Sequence, residues 1–174
     1  MLTKLTQLIT IQDFNIASDA YETFQEIFIV DRGATDLAFA DFMAANREGV
    51  LCLFDFLAAD SNYFAKREGL KLLYQLLCKH AELREVYTES KERLKFVMNT
   101  VLDQNKAIQY EAFLLLSLFI LVEPTEGSGT QPILLKNKKM LFDFIGTFQN
   151  DKEEADFYTL KNAMREILQN MGSL

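Results

Sequence analysis

The sequence predicts an all-α fold built from stacked helical repeats. Nearly every segment places its apolar residues with the period of an α-helix, and no segment alternates apolar and polar residues as a half-buried strand does. In addition, one short pattern occurs three times, at intervals of 49 and 43 residues. With 174 residues, of which 49% are hydrophobic, the chain is long enough for a single domain, residues 1–174, with its own core.

The boundaries of the helices follow from the apolar periodicity. The predicted helices cover residues 14–30, 36–58, 62–79, 91–102, 106–122, 137–149 and 152–171. The second is one long helix or two shorter ones with a break near Gly49, and the last begins with the capping-box pattern Asp151-x-x-Glu154. Residues 106–122 are apolar almost all round, which is typical of a buried helix. Both prolines lie within residues 123–132, which we expect to form a surface loop.

The recurring pattern consists of a helix-capping residue followed, seven positions later, by a small residue. The capping residues are Asp13, Asn62 and Asn105, and the small residues are Ala20, Gly69 and Ala112. Asp and Asn are favoured at helix N-caps, and a small side chain allows two helices to approach closely. A period near 40–47 residues is typical of armadillo and HEAT solenoids, which bind partners on a concave face. A plain helical bundle is the alternative.

Charge is distributed unevenly along the chain. The formal net charge is -7, yet residues 61–110 carry nine basic and six acidic side chains. Residues 1–60 have a net charge of -7 and residues 111–174 a net charge of -3. We expect the middle segment to attract an acidic ligand, whereas the acidic balance of the whole chain argues against nucleic-acid binding.

The sequence also bears on location. It contains no run of about 20 apolar residues, so we predict no transmembrane helix. Its first residues, MLTKLTQLITIQD, lack the compact apolar region and the cleavage site of a signal peptide. We therefore expect a cytoplasmic protein.

Few residues carry the chemistry of an active site. Cys52 and Cys78 each lie in an apolar helical pattern and are expected to be free thiols in the core. His80 is the only histidine and falls at a predicted helix end, where it would cap carbonyl groups. Phosphate-binding, dinucleotide-binding and calcium-binding loop motifs are absent from the sequence. We therefore predict neither an enzyme, nor a metal site, nor a cofactor.

Arg67 and Lys71 form the sharpest local feature. They are four residues apart on one face of the predicted helix 62–79, between Tyr63 and Tyr74. We expect neither cation to have an acidic partner three or four residues away on its own helix. Such a face suits an acidic peptide, because arginine offers a bidentate fork and lysine a point charge. The alternative is that both side chains extend into water or pair across helices.

Met98 is a further candidate for peptide binding. It belongs to an apolar stripe with Leu94, Val97 and Val101, so packing in the core is one interpretation. The other is that Met98 lies at the rim of a groove, where a methionine forms an adaptable wall for an aromatic anchor.

Several blocks of the sequence resemble one known family. The blocks are FNIASDAYETFQEIF (14–28), ADFMAANREGV (40–50), SNYFAKREGLKLLYQLL (61–77), RLKFVMNTVLDQNKAIQYEAF (93–113), TQPI (130–133) and LLKNKKMLFDFIGTFQND (134–151). They are similar, in this order, to successive blocks of the mouse protein 25 family, also called calcium-binding protein 39-like. The resemblance covers most of residues 13–151 and implies a helical-repeat scaffold similar to armadillo repeats.

The resemblance implies a non-enzymatic adaptor for protein kinases. Members of the family bind a STE20-related pseudokinase adaptor through its C-terminal Trp-Glu-Phe sequence, stabilise its complex with a tumour-suppressor kinase, and activate sterile-20-class kinases. The family's peptide-pocket arginine and lysine correspond to Arg67 and Lys71, and its pocket methionine to Met98. Tyr63 corresponds to a tyrosine on the kinase-facing surface. Where the family has an arginine–phenylalanine kinase contact, the basic residue of this sequence is Lys79.

The resemblance also leaves an alternative function open. Family chains are longer on the N-terminal side, so residues 1–12 would be the remnant of a preceding repeat. An apolar end exposed there favours a generic helical-repeat interaction module that forms homo-oligomers through its N-terminal end and does not activate kinases.

Overall fold

The structure is a computed structural model that describes residues 2–29, 37–122, 129–152 and 154–172. Within these ranges it contains eleven helices and no strand, which confirms the predicted all-α fold. The helices are α1 (Leu2–Ile9), α2 (Phe14–Phe28), α3 (Leu37–Ala45), α4 (Arg47–Ala58), α5 (Tyr63–Lys79), α6 (Ala81–Glu89), α7 (Lys91–Thr100), α8 (Lys106–Leu121), α9 (Gln131–Lys136), α10 (Lys138–Thr147) and α11 (Ala155–Asn170).

The helices after α2 form successive triplets, α3–α5, α6–α8 and α9–α11, each of which ends in a long helix. These long helices and α2 have 15 to 17 residues. They pack side by side in chain order, α2 against α5, α5 against α8 and α8 against α11, and we call them the long-helix layer. The helices α1, α4, α7 and α10 each pack against the long helix that follows. This arrangement is the helical-repeat solenoid that the sequence predicts.

The predicted capping residues begin three of the long helices. The side chains of Asp13, Asn62 and Asn105 each accept hydrogen bonds from two backbone N–H groups in the first turn of their helix, at 2.9–3.4 Å. Two of the caps are themselves fixed, because Asp60 and Asp103 accept the backbone N–H of the asparagine two residues later. An N-cap of this kind contributes about 1 kcal/mol. The predicted caps are therefore confirmed.

Gly69 lies where α5 packs against α4. A Cβ atom built on Gly69 would lie 2.6 Å from Cβ of Leu57 and 2.9 Å from the Leu57 carbonyl carbon. The equivalent residues Ala20 and Ala112 are buried as well. For Gly69, the structure confirms the predicted role of the small residue, which is to let two helices approach closely.

Asparagine residues end the first helix of two triplets. The side-chain amide of Asn46 donates to the carbonyl of Phe42 at 2.8 Å, and that of Asn137 donates to the carbonyl of Ile133, also at 2.8 Å. Each amide satisfies a carbonyl in the last turn of a helix as the chain changes direction. The predicted segment 36–58 therefore contains two helices, which is one of the two predicted alternatives, and the break lies at Asn46, three residues before Gly49.

Three short helices, α1, α6 and α9, are absent from the predicted set. The segment of α6 is rich in charged residues of both signs, and α9 has only six residues. Because α9 begins at Gln131, with Pro132 in its first turn, the last part of the predicted surface loop 123–132 is helical. Residues 123–128 of that loop lie outside the described residues.

Asp151 does not cap α11, so the predicted capping box is wrong. The N-cap of α11 is Glu154, whose side chain makes no capping hydrogen bond. Asp151 instead accepts from Lys106 in the first turn of α8, at 3.0 Å. A similar pair joins Lys66 in the first turn of α5 to Asp103, at 2.7 Å. These two pairs link the beginnings of neighbouring long helices.

The buried apolar residues form one contiguous cluster that extends from α1 to α11. Helix α8 is buried on nearly all sides, as its sequence predicts. The rings of Phe113 on α8 and Phe148 after α10 stack with centroids 4.4 Å apart. Of the helices in the described ranges, none combines the length and apolarity that crossing a membrane requires.

The two cysteines are free thiols but lie outside the core. Cys52 on α4 and Cys78 on α5 are both exposed, so the prediction of core thiols was wrong. On α4 the side chains of Leu51 and Phe54 are buried, and the helical period turns Cys52, which lies between them in sequence, towards solvent.

We expect Gly69→Ala to lower the free energy of unfolding by about 1–3 kcal/mol, because the added methyl group overpacks the contact with Leu57. Gly49→Ala is the matched control, since a Cβ atom there meets nothing within 4 Å. Alanine at position 49 should raise the free energy of unfolding by about 0.4–1 kcal/mol. Urea unfolding followed by circular dichroism measures both changes, and equal effects would contradict the close contact at Gly69.

Candidate functional site

Helix α5 presents a face of aromatic and basic side chains, which we call the cation face. It consists of Tyr63, Arg67, Lys71 and Tyr74, which recur at roughly one-turn intervals along the helix. Tyr63 is exposed. Tyr74 is partly buried, and this burial together with the neighbouring Cys78 raises the pKa of its phenol to about 12. The opposite face of α5 is buried in the core. Core packing therefore fixes the direction in which the cation face points.

Both cations of this face are paired with one acidic residue, which for Lys71 is contrary to expectation. Nη1 of Arg67 donates to Oε1 of Glu68 at 2.7 Å, and Nζ of Lys71 lies 3.9 Å from Oε2 of the same carboxylate. The Glu68 side chain is only 9% exposed, while those of Arg67 and Lys71 are 37% and 40% exposed. Glu68 precedes Lys71 by three residues, a spacing at which helical side chains meet. An acidic ligand of Arg67 would have to compete with this internal carboxylate.

A second buried carboxylate faces the cations from α8. Glu111 is buried, and desolvation raises its pKa even though the charges of Arg67 and Lys71 act in the opposite direction. Tyr21 on α2 lies on the other side, where burial and the Glu68 carboxylate raise the pKa of its phenol. Two cations and two carboxylates thus share the centre of the long-helix layer. Their charges largely cancel.

Met98 lies in an open groove between α7 and α9, which we call the Met98 groove. The groove has a volume of about 510 Å³ and is lined by Lys95, Met98, Asn99, Pro132, Ile133, Lys136 and Asn137. Met98 is partly buried and packs against the core while it also lines the groove. The sequence pattern was compatible with a place in the core or at the rim of a groove. Met98 does both, because it packs against the core and also lines the groove.

Local sequence explains how α9 forms one wall of the groove. Leu134 is 1% exposed and anchors α9 in the core. Pro132 lies in the first turn, where proline stabilises a helix because its missing N–H group has no intrahelical role there. With Leu134 directed inwards, Pro132, Ile133 and Lys136 line the groove.

Lys95 and Lys136 give the Met98 groove two positive charges. Neither lysine forms an ion pair with any residue in the described ranges. Neither lysine was predicted from the sequence as a site residue. Lys95 could have been found, since it precedes Met98 by three residues on the same helix, but Lys136 lies in a helix that the sequence did not predict.

The candidate residues divide between two surfaces. The Met98 groove is lined by neither Arg67 nor Lys71, which lie on α5 in the long-helix layer. Lys79, at the end of α5, donates to the backbone carbonyl of Ile29 at the end of α2, at 3.1 Å. The cation face and the Met98 groove must therefore be considered as separate candidate sites.

His80 shows no arrangement suited to catalysis. It lies between α5 and α6, with Nδ1 3.5 Å from Oε1 of Glu82. Its side chain caps no helix, unlike the prediction from its position. Within the described residues, no three side chains of His, Cys, Asp or Glu are grouped so that they could hold a metal ion.

We expect Arg67→Ala to lower the free energy of unfolding by roughly 1–2 kcal/mol, because the buried Glu68 carboxylate would keep only the more distant Lys71. The loss is smaller than for a fully buried pair, since Arg67 is partly exposed. Lys95 has no ion pair in the described residues, so Lys95→Ala should change the free energy of unfolding by less than about 0.5 kcal/mol. Chemical denaturation measures both, and equal losses would argue against a stabilising Arg67–Glu68 pair.

We expect Glu111 to make the protein less stable as pH rises. The native pKa of this carboxyl lies above its ordinary value of 4.5, so the native state binds the proton more tightly than the unfolded state. Stability therefore falls as pH rises from 4.5 through the raised pKa. Glu111→Gln should remove this part of the pH dependence, whereas Glu85→Gln, at an exposed site on α6, should not. Thermal unfolding across this pH range measures the difference, and parallel curves for wild type and Glu111→Gln would contradict the assignment.

The chain is similar to known proteins over most of its length. It is 31% identical to calcium-binding protein 39-like of Mus musculus, over 88% of the chain and 45% of that protein. It is 30% identical to the Mo25-like protein of Schizosaccharomyces pombe, over 90% of the chain and 46% of that protein. It is also 29% identical to the degreening-related gene dee76 protein of Auxenochlorella protothecoides, over 88% of the chain and 47% of that protein.

The chain thus spans about half the length of these relatives. The model of the Mo25-like family matches residues 1–172, which is nearly the whole sequence. This match agrees with the resemblance of the sequence blocks and with the helical-repeat fold. The chain belongs to the Mo25-like family.

Proposed function

We propose that this protein is a non-enzymatic cytoplasmic scaffold that binds a protein kinase or pseudokinase through a C-terminal Trp-Glu-Phe-like peptide. The observation that carries the proposal is the Met98 groove, an open groove with apolar walls and two lysines without ion pairs in the described residues. Membership of the Mo25-like family supports a scaffold.

The chemistry of the groove matches that of the peptide. Met98, Pro132 and Ile133 provide apolar contacts for the two aromatic side chains, and aromatic anchors in apolar sockets supply most of the affinity at such interfaces. Lys95 and Lys136 are placed to meet the peptide's glutamate and its terminal carboxylate. As point charges on flexible stems, lysines adapt to either acidic group.

The cation face would make a second contact, with the folded domain of the partner. Arg67 and Lys71 are partly exposed and lie beside the exposed Tyr63, while Lys79 lies farther along the same helix. Attachment at two points raises the apparent affinity, because binding at the first site increases the effective concentration at the second. Activation of the kinase follows if both contacts bind its active conformation more tightly than its inactive one.

Self-association is a second candidate function, favoured by apolar side chains at the N-terminal end. Phe14 is 65% exposed at the beginning of α2, and Leu8 and Ile16 are also exposed. Exposed apolar side chains that lie together are typical of protein–protein contact sites. Light scattering at increasing protein concentration distinguishes the two functions, because a strict monomer argues against self-association.

We expect the protein to bind a fluorescently labelled peptide ending in Trp-Glu-Phe, and Met98→Ala to weaken this binding by about 10-fold or more, since one groove wall is lost. Arg67→Ala should change the affinity for the isolated peptide by less than about 2-fold, because Arg67 is held by Glu68 outside the groove. Fluorescence anisotropy titration measures these affinities.

Met140→Ala is the matched control, because Met140 on α10 is 57% exposed and does not line the groove. It should bind the peptide as the wild type does. No binding by the wild type would overturn the proposal. A loss in Arg67→Ala as large as in Met98→Ala would place the peptide on the cation face instead.

A further inference from the structure

A second open groove lies on the other side of α9 from the Met98 groove. Its volume is about 500 Å³, and it is lined by Leu135, Lys136, Lys138, Lys139, Phe142 and Gln169. Lys136 lines both grooves, so they adjoin one another at this side chain. We call it the α10 groove, because Lys138, Lys139 and Phe142 belong to α10.

The α10 groove is basic, although the C-terminal part of the chain is acidic on average. Lys136 and Lys139 form no ion pair with residues in the described ranges. Arg165 of α11 stacks on the ring of Phe142, with its guanidinium carbon 4.2 Å from the ring centroid. The lining of the groove therefore combines three lysines with the apolar side chains of Leu135 and Phe142.

Lys138 has a different role from its neighbour. Its Nζ donates to the backbone carbonyls of Gln169 and Met171 at 3.1 and 2.7 Å, at the C-terminal end of α11. This contact satisfies carbonyls that have no partner within the helix and holds α11 against α10. Lys139 is exposed and forms no ion pair with residues in the described ranges, so its charge is available to a ligand.

We propose that the α10 groove continues the peptide site, and that it binds an acidic segment of the partner that precedes the C-terminal aromatic motif. The inference rests on the proposed function and extends it. A peptide whose end lies in the Met98 groove would pass Lys136 and reach Lys139 and Phe142. Carboxylates of the partner would then meet Lys136 and Lys139, which form no ion pair with the residues that the structure describes.

The dimensions of a helix set the position of this acidic segment. The peptide must cross the width of α9, which with its side chains is about 10 Å. An extended chain advances about 3.3 Å per residue, so roughly three residues make the crossing. The acidic residues should therefore begin about three positions before the aromatic motif. The apolar part of the lining and the overall net charge of -7 favour a peptide over a nucleic acid.

The test compares three labelled peptides: a short peptide ending in Trp-Glu-Phe, the same peptide with four added N-terminal glutamates, and the same peptide with four glutamines instead. We expect the glutamate extension to tighten binding by about 3- to 10-fold at low salt, with a smaller gain at high salt. The glutamine extension should bind as the short peptide does.

Lys139→Ala should abolish most of the gain from the glutamates and leave the affinity for the short peptide unchanged. Lys4→Ala, which removes the same charge from an exposed site on α1, should keep the full gain. Lys139 is exposed and has no ion pair among the described residues, and a circular dichroism spectrum of the variant verifies that it is folded.

Each other outcome overturns the inference. If the short peptide binds and the glutamates add nothing, the acidic segment is wrong while the proposed function stands. An equal gain from glutamines would assign the effect to length and not to charge. A gain that persists in Lys139→Ala would place the segment elsewhere. If no peptide binds, the proposed function fails together with the inference.

Discussion

The close contact between α5 and α4 at Gly69 is the constraint on which the arrangement of the repeats depends. Because no side chain separates the helices there, the backbone of α4 at Leu57 lies directly against α5. That contact turns one face of α5 into the core and the opposite face, with Arg67 and Lys71, outwards. The caps at Asn62 and Asn105 then fix where α5 and α8 begin relative to one another.

Local pairing decides which of the basic residues are available to a ligand. The middle of the chain has the highest net positive charge, but its two central cations cover the Glu68 carboxylate and face Glu111. The C-terminal part is acidic on average, yet Lys136 and Lys139 line open grooves and have no acidic partner in the described residues. Net charge per segment is therefore a poor guide to a binding surface in this fold, because Glu68 on the same helix and Glu111 on the neighbouring helix offset the charges of Arg67 and Lys71.

Most of the fold could be predicted from the sequence, because capping and helical periodicity act over a few residues. Asn62 and Asn105 marked the beginnings of α5 and α8 correctly for this reason. The site was less predictable, since a groove is formed by residues far apart in the sequence. Met98 was recognised, but its neighbour Lys136 lies in a six-residue helix too short to show a period. The exposure of Cys52 likewise depends on which side of α4 faces the core, and the continuous apolar run of residues 50–54 did not reveal that side.

The separation of the two surfaces has a consequence for how a partner is held. The Met98 groove belongs to α7 and α9, whereas the cation face belongs to α5 in the long-helix layer. A flexible C-terminal peptide adapts to a groove at almost any distance from the body of its protein, so the groove supplies affinity without fixing orientation. If the partner binds as proposed, the cation face would set its orientation, and there Glu68 pairs with Arg67 and competes for its charge. On the proposed function, the groove therefore captures the partner, and the strength of the Arg67–Glu68 pair determines how firmly the captured domain is oriented.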